Sequence, residues 1–409
     1  MNLSRKNGTE DRNDMTAIDG TGANQLFSAA QVNYQQLEYY AGNTLNRGIE
    51  LYKNKEYSAA VQAFKSSIAL APAAGYAVEA AKMLAGIYVT MGETEQAIES
   101  LRSFVELSPS SDAARVKLGE MYYSEGRYDE ALAQYEKAVE LSPDAGNRYA
   151  LGQAYLQTGE TGKAEEQFMQ VLLMAPDDPA GNLGLGQTYS RAGQYDLAIE
   201  QFEAAIEKKN DFHDAWAEMG YTFADMGDID RALEIYEYLE EKSPQLADLL
   251  NRYIYKVDPP KIMFAHATGT FPGSLPLGTA VSSLDESLAD AGASKMFTVK
   301  FQFDKEMDRT SVETVTNWQI GRASGTGPAR YNYGLAIPST EVQLPGLPDY
   351  VSYDPVNFTA TVFFTITQND TADGTLDPGH VQFSFRGTDR FGQRMDAARD
   401  QYTGFSGVF

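Results

Sequence analysis

The stretch Tyr149-Ala150-Leu151-Gly152-Gln153-Ala154-Tyr155 decides the fold, because its Leu-Gly pair returns at a fixed interval before and after it. Leu118-Gly119 precedes it, and Leu185-Gly186 and Met219-Gly220 follow. An aromatic stands three residues beyond each glycine, at Tyr122, Tyr155, Tyr189 and Phe223. Residues i and i+3 share a helix face, and a face lacking one side chain lets a second helix approach closely. That second helix is legible as well. Ala131 with Tyr135, Ala164 with Phe168, Ala198 with Phe202 and Ala232 with Tyr236 set small against large one turn apart. Prolines at Pro72, Pro109, Pro143 and Pro176 are 37, 34 and 33 residues apart; Pro244 comes 68 later, two periods, with Asn210 at the midpoint. Ala60 and Ala97 extend the phase toward the N-terminus. Polar turns such as 124–129 and 191–196 join the two helices of a unit.

The pattern resembles the tetratricopeptide repeat, with units at about 41–74, 78–111, 112–144, 145–178, 179–212 and 213–246. The resemblance implies an α-solenoid of helix pairs over 41–256, with 245–256 as a solvating cap helix. The first two units are less regular: Ala85 holds the glycine position, and an insertion precedes the second. Upstream, Phe27, Tyr34, Leu37, Ala41 and Leu45 follow helical spacing, predicting an N-terminal helix over 24–40. It either caps the stack or is offered to a neighbouring subunit, and Phe27, Tyr34 and Leu37 would then form the assembly segment. Residues 1–23 are a polar tail of a composition that does not order alone.

In this family the inner face of the first helices lines a groove that holds a protein segment. The positions that map there are Val116, Lys117, Glu120 and Tyr123, then Tyr149, Gln153, Leu156 and Gln157, then Leu183, Gln187 and Arg191, then Ala217, Glu218 and Tyr221. The basic and amide clamp by which chaperone-binding members grip a terminal carboxylate is absent from them. A mixed lining of Tyr, Leu and Gln suits an extended segment or a loop of another protein. A merely solvated inner face is the alternative.

At Pro259-Pro260 the composition changes from Ala, Glu, Gln and Leu to Thr, Val, Phe, Gly and Pro, so 257–260 reads as a linker and 261–409 as a second domain. Phe297, Val299, Phe301 and Phe303 alternate with polar residues. Residues 358–367 and 381–385 also read as strands, and Asp389-Arg390-Phe391-Gly392 as a turn. About seven short strands predict an antiparallel sandwich. Three stretches, 303–320, 351–354 and 387–396, resemble the bacterial Ig-like domain of surface-layer proteins, with longer excursions at 271–292 and 321–348. The fold class is therefore α + β multidomain: an α-solenoid of helix pairs followed by an antiparallel Ig-like β-sandwich. The aromatic C-terminus, 401–409, is either the last strand or a strand lent to a neighbour.

The chain of 409 residues has 33 basic and 57 acidic side chains, a net charge of -24, and no cysteine. A polyanion would be repelled by such a surface, which excludes nucleic acid as a partner and disfavours anionic membranes. The two parts share the sign, about -18 before Asp258 and -6 from it onward. Disulfides and thiolate chemistry are excluded. No run is apolar and long enough to cross a bilayer, and residues 1–12 do not read as a secretory signal.

His213, His266 and His380 are isolated, and HExxH, GxSxG, phosphate-loop and dinucleotide motifs are absent, so no enzyme is indicated. No cofactor is indicated either. Calcium at Asp304 with Asp308, or at Asp370 with Asp373 and Asp377, is the one metal possibility, although acidic turns are more often simply solvated. The sequence reading is thus of a non-catalytic, self-associating subunit of a bacterial extracellular or cell-surface assembly, possibly a filament. Its alternatives are an adaptor that recruits a different protein through the groove, and a cytoplasmic or periplasmic location.

Overall fold

The computed structural model describes the backbone of residues 20–266, 268–272, 276, 278–322, 337–376 and 381–403, with side chains from residue 31 onward except Val32. It divides into two compact units, Met1–Met219 and Gly220–Phe409.

The first unit is built from paired antiparallel helices. They are α1 (Gly20–Lys53) with α2 (Tyr57–Leu70), α3 (Gly75–Thr90) with α4 (Thr94–Leu107), α5 (Asp112–Ser124) with α6 (Tyr128–Leu141), α7 (Ala145–Thr158) with α8 (Thr161–Met174), and α9 (Ala180–Arg191) with α10 (Tyr195–Lys208). The helix α11 (His213–Met226) begins in this unit. A Cβ built on Gly48, Gly119, Gly152 or Gly186 would lie 2.6, 2.7, 2.7 or 2.4 Å from the ring of Phe64, Tyr135, Phe168 or Phe202. The recurrent glycine is therefore the socket for the aromatic of the partner helix, and Ala60, Ala97, Ala131, Ala164 and Ala198 are fully buried beside it. Each such ring contributes about 1.5–3 kcal/mol by leaving water. The aromatic after the glycine ties successive units, since the Tyr155 hydroxyl donates to Glu136 and the Tyr189 hydroxyl to Glu165, both at 2.8 Å.

The N-terminal helix and the first repeat helix are not separate. They form α1, a continuous helix of 34 residues against 14 for α2. No proline lies between Tyr40 and Leu45, and Ala41 and Leu45 are both buried, so one helical face runs on through the expected boundary. Residues 1–19 lie outside the described residues.

The second unit holds α12 (Ile229–Lys242) and α13 (Pro244–Val257) and then the β-region. Its strands are β1 (Ile262–His266), β2 (Thr279–Ala280), β3 (Ser294–Phe303), β4 (Trp318–Arg322), β5 (Tyr350–Asp354), β6 (Thr359–Thr367), β7 (Thr375–Leu376), β8 (Val381–Phe385) and β9 (Gln401–Tyr402), with the short α14 (Arg309–Glu313) after β3. A four-stranded sheet in the order β1-β3-β6-β5 faces a three-stranded one in the order β4-β8-β9, and β2 pairs with β7. All strand pairs are antiparallel. The strand alternation holds: Phe297, Val299, Phe301 and Phe303 of β3 are buried, as are Ala360, Val362, Phe364 and Ile366 of β6. Rings from the two sheets meet in the middle, Phe301 and Phe364 each 5.2 Å from Phe383, and Trp318 packs 4.6 Å from Phe385. This is the antiparallel sandwich expected, with nine strands among the described residues where seven were predicted. Its aromatic core defines a sandwich and no narrower family.

The segment 257–260 is a built joint, not a free linker. The Lys305 ammonium donates to Tyr255 O (2.5 Å) and Asp258 O (2.6 Å) at the end of α13, and to the Asp389 carboxylate (3.1 Å). Lys305 and Asp389 are both buried. The Asp389 turn is closed as predicted, its Oδ1 accepting from Phe391 and Gln393 N–H, while Phe391 meets Tyr255 edge-on at 6.0 Å.

Candidate functional site

The candidate groove is the inner face of α5, α7, α9 and the start of α11. Tyr149 and Gln153 lie one helical turn apart on α7, and the repeat brings Gln187 of α9 beside them. Gln153 Nε2 donates to the Tyr149 hydroxyl (3.1 Å) and to Gln187 Oε1 (2.8 Å). Gln187 Nε2 donates in turn to Glu218 Oε1 (2.8 Å). The result is a ladder of side-chain hydrogen bonds crossing three successive units. Burial pushes the Tyr149 hydroxyl and the Glu218 carboxyl above their ordinary pKa values, against the opposing hydrogen bonds from Gln153 and Gln187. Tyr149 also packs edge-on against Phe168 at 5.5 Å. Arg191 Nη1 donates to Leu156 O at 2.5 Å, so this cation is spent on the backbone of the preceding unit.

Of the positions read from the sequence, Val116, Tyr123, Tyr149, Gln153 and Gln187 are half-buried and present part of their surface; Glu120 and Arg191 are exposed. Glu120 pairs with Lys117 at 2.7 Å. Burial raises the Tyr123 hydroxyl, opposed by a hydrogen bond with Gln157. Leu156, Leu183 and Ala217 are corrections: they are buried at 3, 7 and 3 % exposure and support the face from beneath. A leucine on a repeat helix wedged between neighbours on both sides has little face left to offer. Tyr221 belongs to the second unit, where it packs edge-on against Tyr253 at 5.0 Å. Glu218, which the sequence mapped to this face beside Ala217, is the end of the ladder.

In the assembly segment Tyr34 is exposed and Leu37 half-buried, while the Phe27 side chain lies outside the described residues. Three of the proposed calcium ligands, Asp304, Asp308 and Asp373, accept hydrogen bonds within the chain. Asp304 Oδ1 accepts from Lys261 N–H and Asp308 Oδ1 from Ser311 N–H at the start of α14, and Asp373 is held by Asn369 and Thr371. Asp377 and His380 lie outside the described residues. Among the described residues no cluster of three or more His, Asp or Glu side chains is placed to hold a metal ion. No helix among them is long and apolar enough to cross a membrane.

Comparison with known proteins agrees with the helical half. One tetratricopeptide repeat family model matches residues 82–146 and 183–247, and a second matches 122–187. Residues 82–247 are thus matched by tetratricopeptide repeat models. The small glutamine-rich tetratricopeptide repeat-containing protein 2 of Mycosarcoma maydis is 30% identical over 89 residues, 22% of this chain and 24% of that protein. The chain thus spans about a quarter of the length of this curated relative. Among solved structures, a tetratricopeptide repeat protein of Parabacteroides merdae is 16% identical with a TM-score of 0.45, over 54% of this chain and 93% of that one. A thermophilic repeat protein of Thermus thermophilus is 25% identical with a TM-score of 0.34, over 45% and 98%.

Proposed function

We propose that this protein is a non-catalytic interaction scaffold whose repeat face holds an extended protein segment, and that the segment comes first from another copy of itself. The observation that carries the interaction role is the run of half-exposed Tyr123, Tyr149, Gln153 and Gln187 across three consecutive units. It joins aromatic surface to amide groups already held in place by the ladder, so little ordering is left for binding to impose.

Self-association is favoured by α1. It is more than twice the length of its partner helix and exposes Tyr34, Tyr39 and Tyr40 ahead of the residues that pack on α2. Three exposed tyrosines on an overhanging helix are an apolar surface in want of a cover. A head-to-tail contact of this kind that does not close would extend into a filament. A place outside the cell belongs to the same proposal and rests on the likeness of residues 303–320 and 387–396 to surface-type Ig-like modules.

A photo-cross-linker placed at Tyr123 tests the reading. Cross-links to α1 of a second copy are expected from purified protein. Cross-links formed only in lysate, to an unlike protein, favour the adaptor. A face that captures no protein in either setting overturns the proposal.

A further inference from the structure

The outer face of the four-stranded sheet carries a second candidate site, unrelated to the repeats. Because alternate residues of β3 and β6 fill the core, the others must point away from it. Strand register places His266, Lys300, Thr361 and Ser352 side by side across β1, β3, β6 and β5. The row on one side contains Phe264 and Gln302, and the row on the other contains Phe363 and Tyr350. Phe264 and Tyr350 are about half exposed, and the Tyr350 ring stacks on Phe363 at 3.9 Å and 15°. The polar rows line an open hollow of about 470 Å³, with Phe264 and Tyr350 outside its lining.

Polar groups of two kinds line it. Gln302 is saturated: its Nε2 donates to Phe303 O (2.9 Å) and Asn357 O (2.8 Å), and its Oε1 takes His266 Nε2–H (3.0 Å) and the Thr359 hydroxyl (3.3 Å). Asp354 is likewise held by Asn357 Nδ2 (2.7 Å) and Val356 N–H (3.0 Å). These contacts build a fixed floor. By contrast the Lys300 ammonium and the Ser352 and Thr361 hydroxyls have no hydrogen bond or ion pair among the described residues. The turn between Asp354 and Thr359 carries Phe358 at φ 51°, a left-handed conformation that is strained for a non-glycine residue and recurs at ligand sites.

We propose that this face binds a short glycan laid across the strands. Closely spaced hydroxyls that both donate and accept suit a row of one amine and two hydroxyls, and the apolar C–H faces of sugar rings suit Phe264 on one side and Tyr350 on the other. Four strands span about 14 Å at the usual spacing, room for more than one ring. A nucleotide or other polyphosphate fits poorly, since the ionised Asp354 borders the row and the chain carries a net charge of -24. A peptide adding to the sheet would need its edge and not its face.

The test uses the full chain on a printed glycan array that includes neutral and uronic-acid oligosaccharides, followed by titration calorimetry with the strongest ligands. Binding with a dissociation constant of about 1 mM or tighter is expected, weakened about 10-fold or more by Lys300→Ala and by Tyr350→Ala. In a Trp216→Phe background, emission of the buried Trp318 should be unchanged in both variants, showing that the sandwich is intact. Failure of every glycan, or binding that survives both substitutions, overturns the proposal. Neither result bears on cross-linking at Tyr123, so the two readings stand or fall separately.

Discussion

Lys305→Met at the joint between α13 and the sandwich is the substitution whose effect can be worked out most fully. Methionine keeps the length and apolar burial of the side chain and removes only the ammonium. Three acceptors then lose their donor: Tyr255 O, Asp258 O and Asp389 Oδ2. The side chains of Lys305 and Asp389 are 3 and 0 % exposed, so water does not replace the lost contacts. Breaking a buried ion pair from one side costs about 3–5 kcal/mol. Asp389 keeps two backbone donors, Phe391 and Gln393 N–H, which places the expected loss at the lower end, about 3 kcal/mol. That is roughly a 100-fold fall in the folded-to-unfolded ratio. Adding Asp389→Asn should recover part of it, because the stranded charge goes too, giving a coupling of about 1–3 kcal/mol. Urea unfolding followed by Trp318 emission in a Trp216→Phe background reads the second unit alone. A loss below about 1 kcal/mol for Lys305→Met would show that the ammonium does not hold this joint.

Gly186→Ala should destabilise the first unit by about 1–3 kcal/mol in thermal or urea unfolding, since the new methyl would sit 2.4 Å from Phe202 in a filled core. Ser111→Ala removes the acceptor for Ala114 N–H at the start of α5 and should cost about 1 kcal/mol in the same assay. Glu218 has its pKa raised by burial, so the stability linked to its protonation is complete below the ordinary carboxyl pKa and is lost as pH rises through the raised value. Glu218→Gln keeps an acceptor for Gln187 and should therefore raise the urea midpoint at pH 7, with the difference from the parent closing near pH 4. An equal gap at both values would mean that Glu218 is not titrating in this window.

The helical half was legible because its key contacts are local and repeated. Gly119, Gly152 and Gly186 and their partner aromatics 16 residues on each belong to one helix pair, and recurrence exposed the rule. The groove was legible only in outline. Spacing placed Leu156 and Leu183 on the same helices as Gln153 and Gln187, but burial by a neighbouring unit separates them, and helical phase alone does not report it. The hydrogen-bond ladder follows from Gln153 and Gln187 being 34 residues, one period, apart; Glu218 maps to the same face, but at 31 residues from Gln187 it breaks the period, so its bond to Gln187 was not readable.

In the sandwich, alternation identified β3 and β8, yet the order β1-β3-β6-β5 depends on pairings such as Phe301 with Ala360, far apart in the chain. Lys305 reads in sequence as an ordinary lysine at a strand end. Its role is set by Tyr255 and Asp389, 50 residues before it and 84 after it. The same holds for the row of His266, Lys300, Thr361 and Ser352, which exists only once four strands are aligned.

Sedimentation velocity of the full chain over a wide concentration range, beside a variant with Tyr34, Tyr39 and Tyr40 changed to Ser, tests most directly whether copies of this protein hold one another. Species heavier than the monomer, growing with concentration and lost in the variant, are the predicted result. A single monomer boundary at every concentration, or equal association in both proteins, would contradict it.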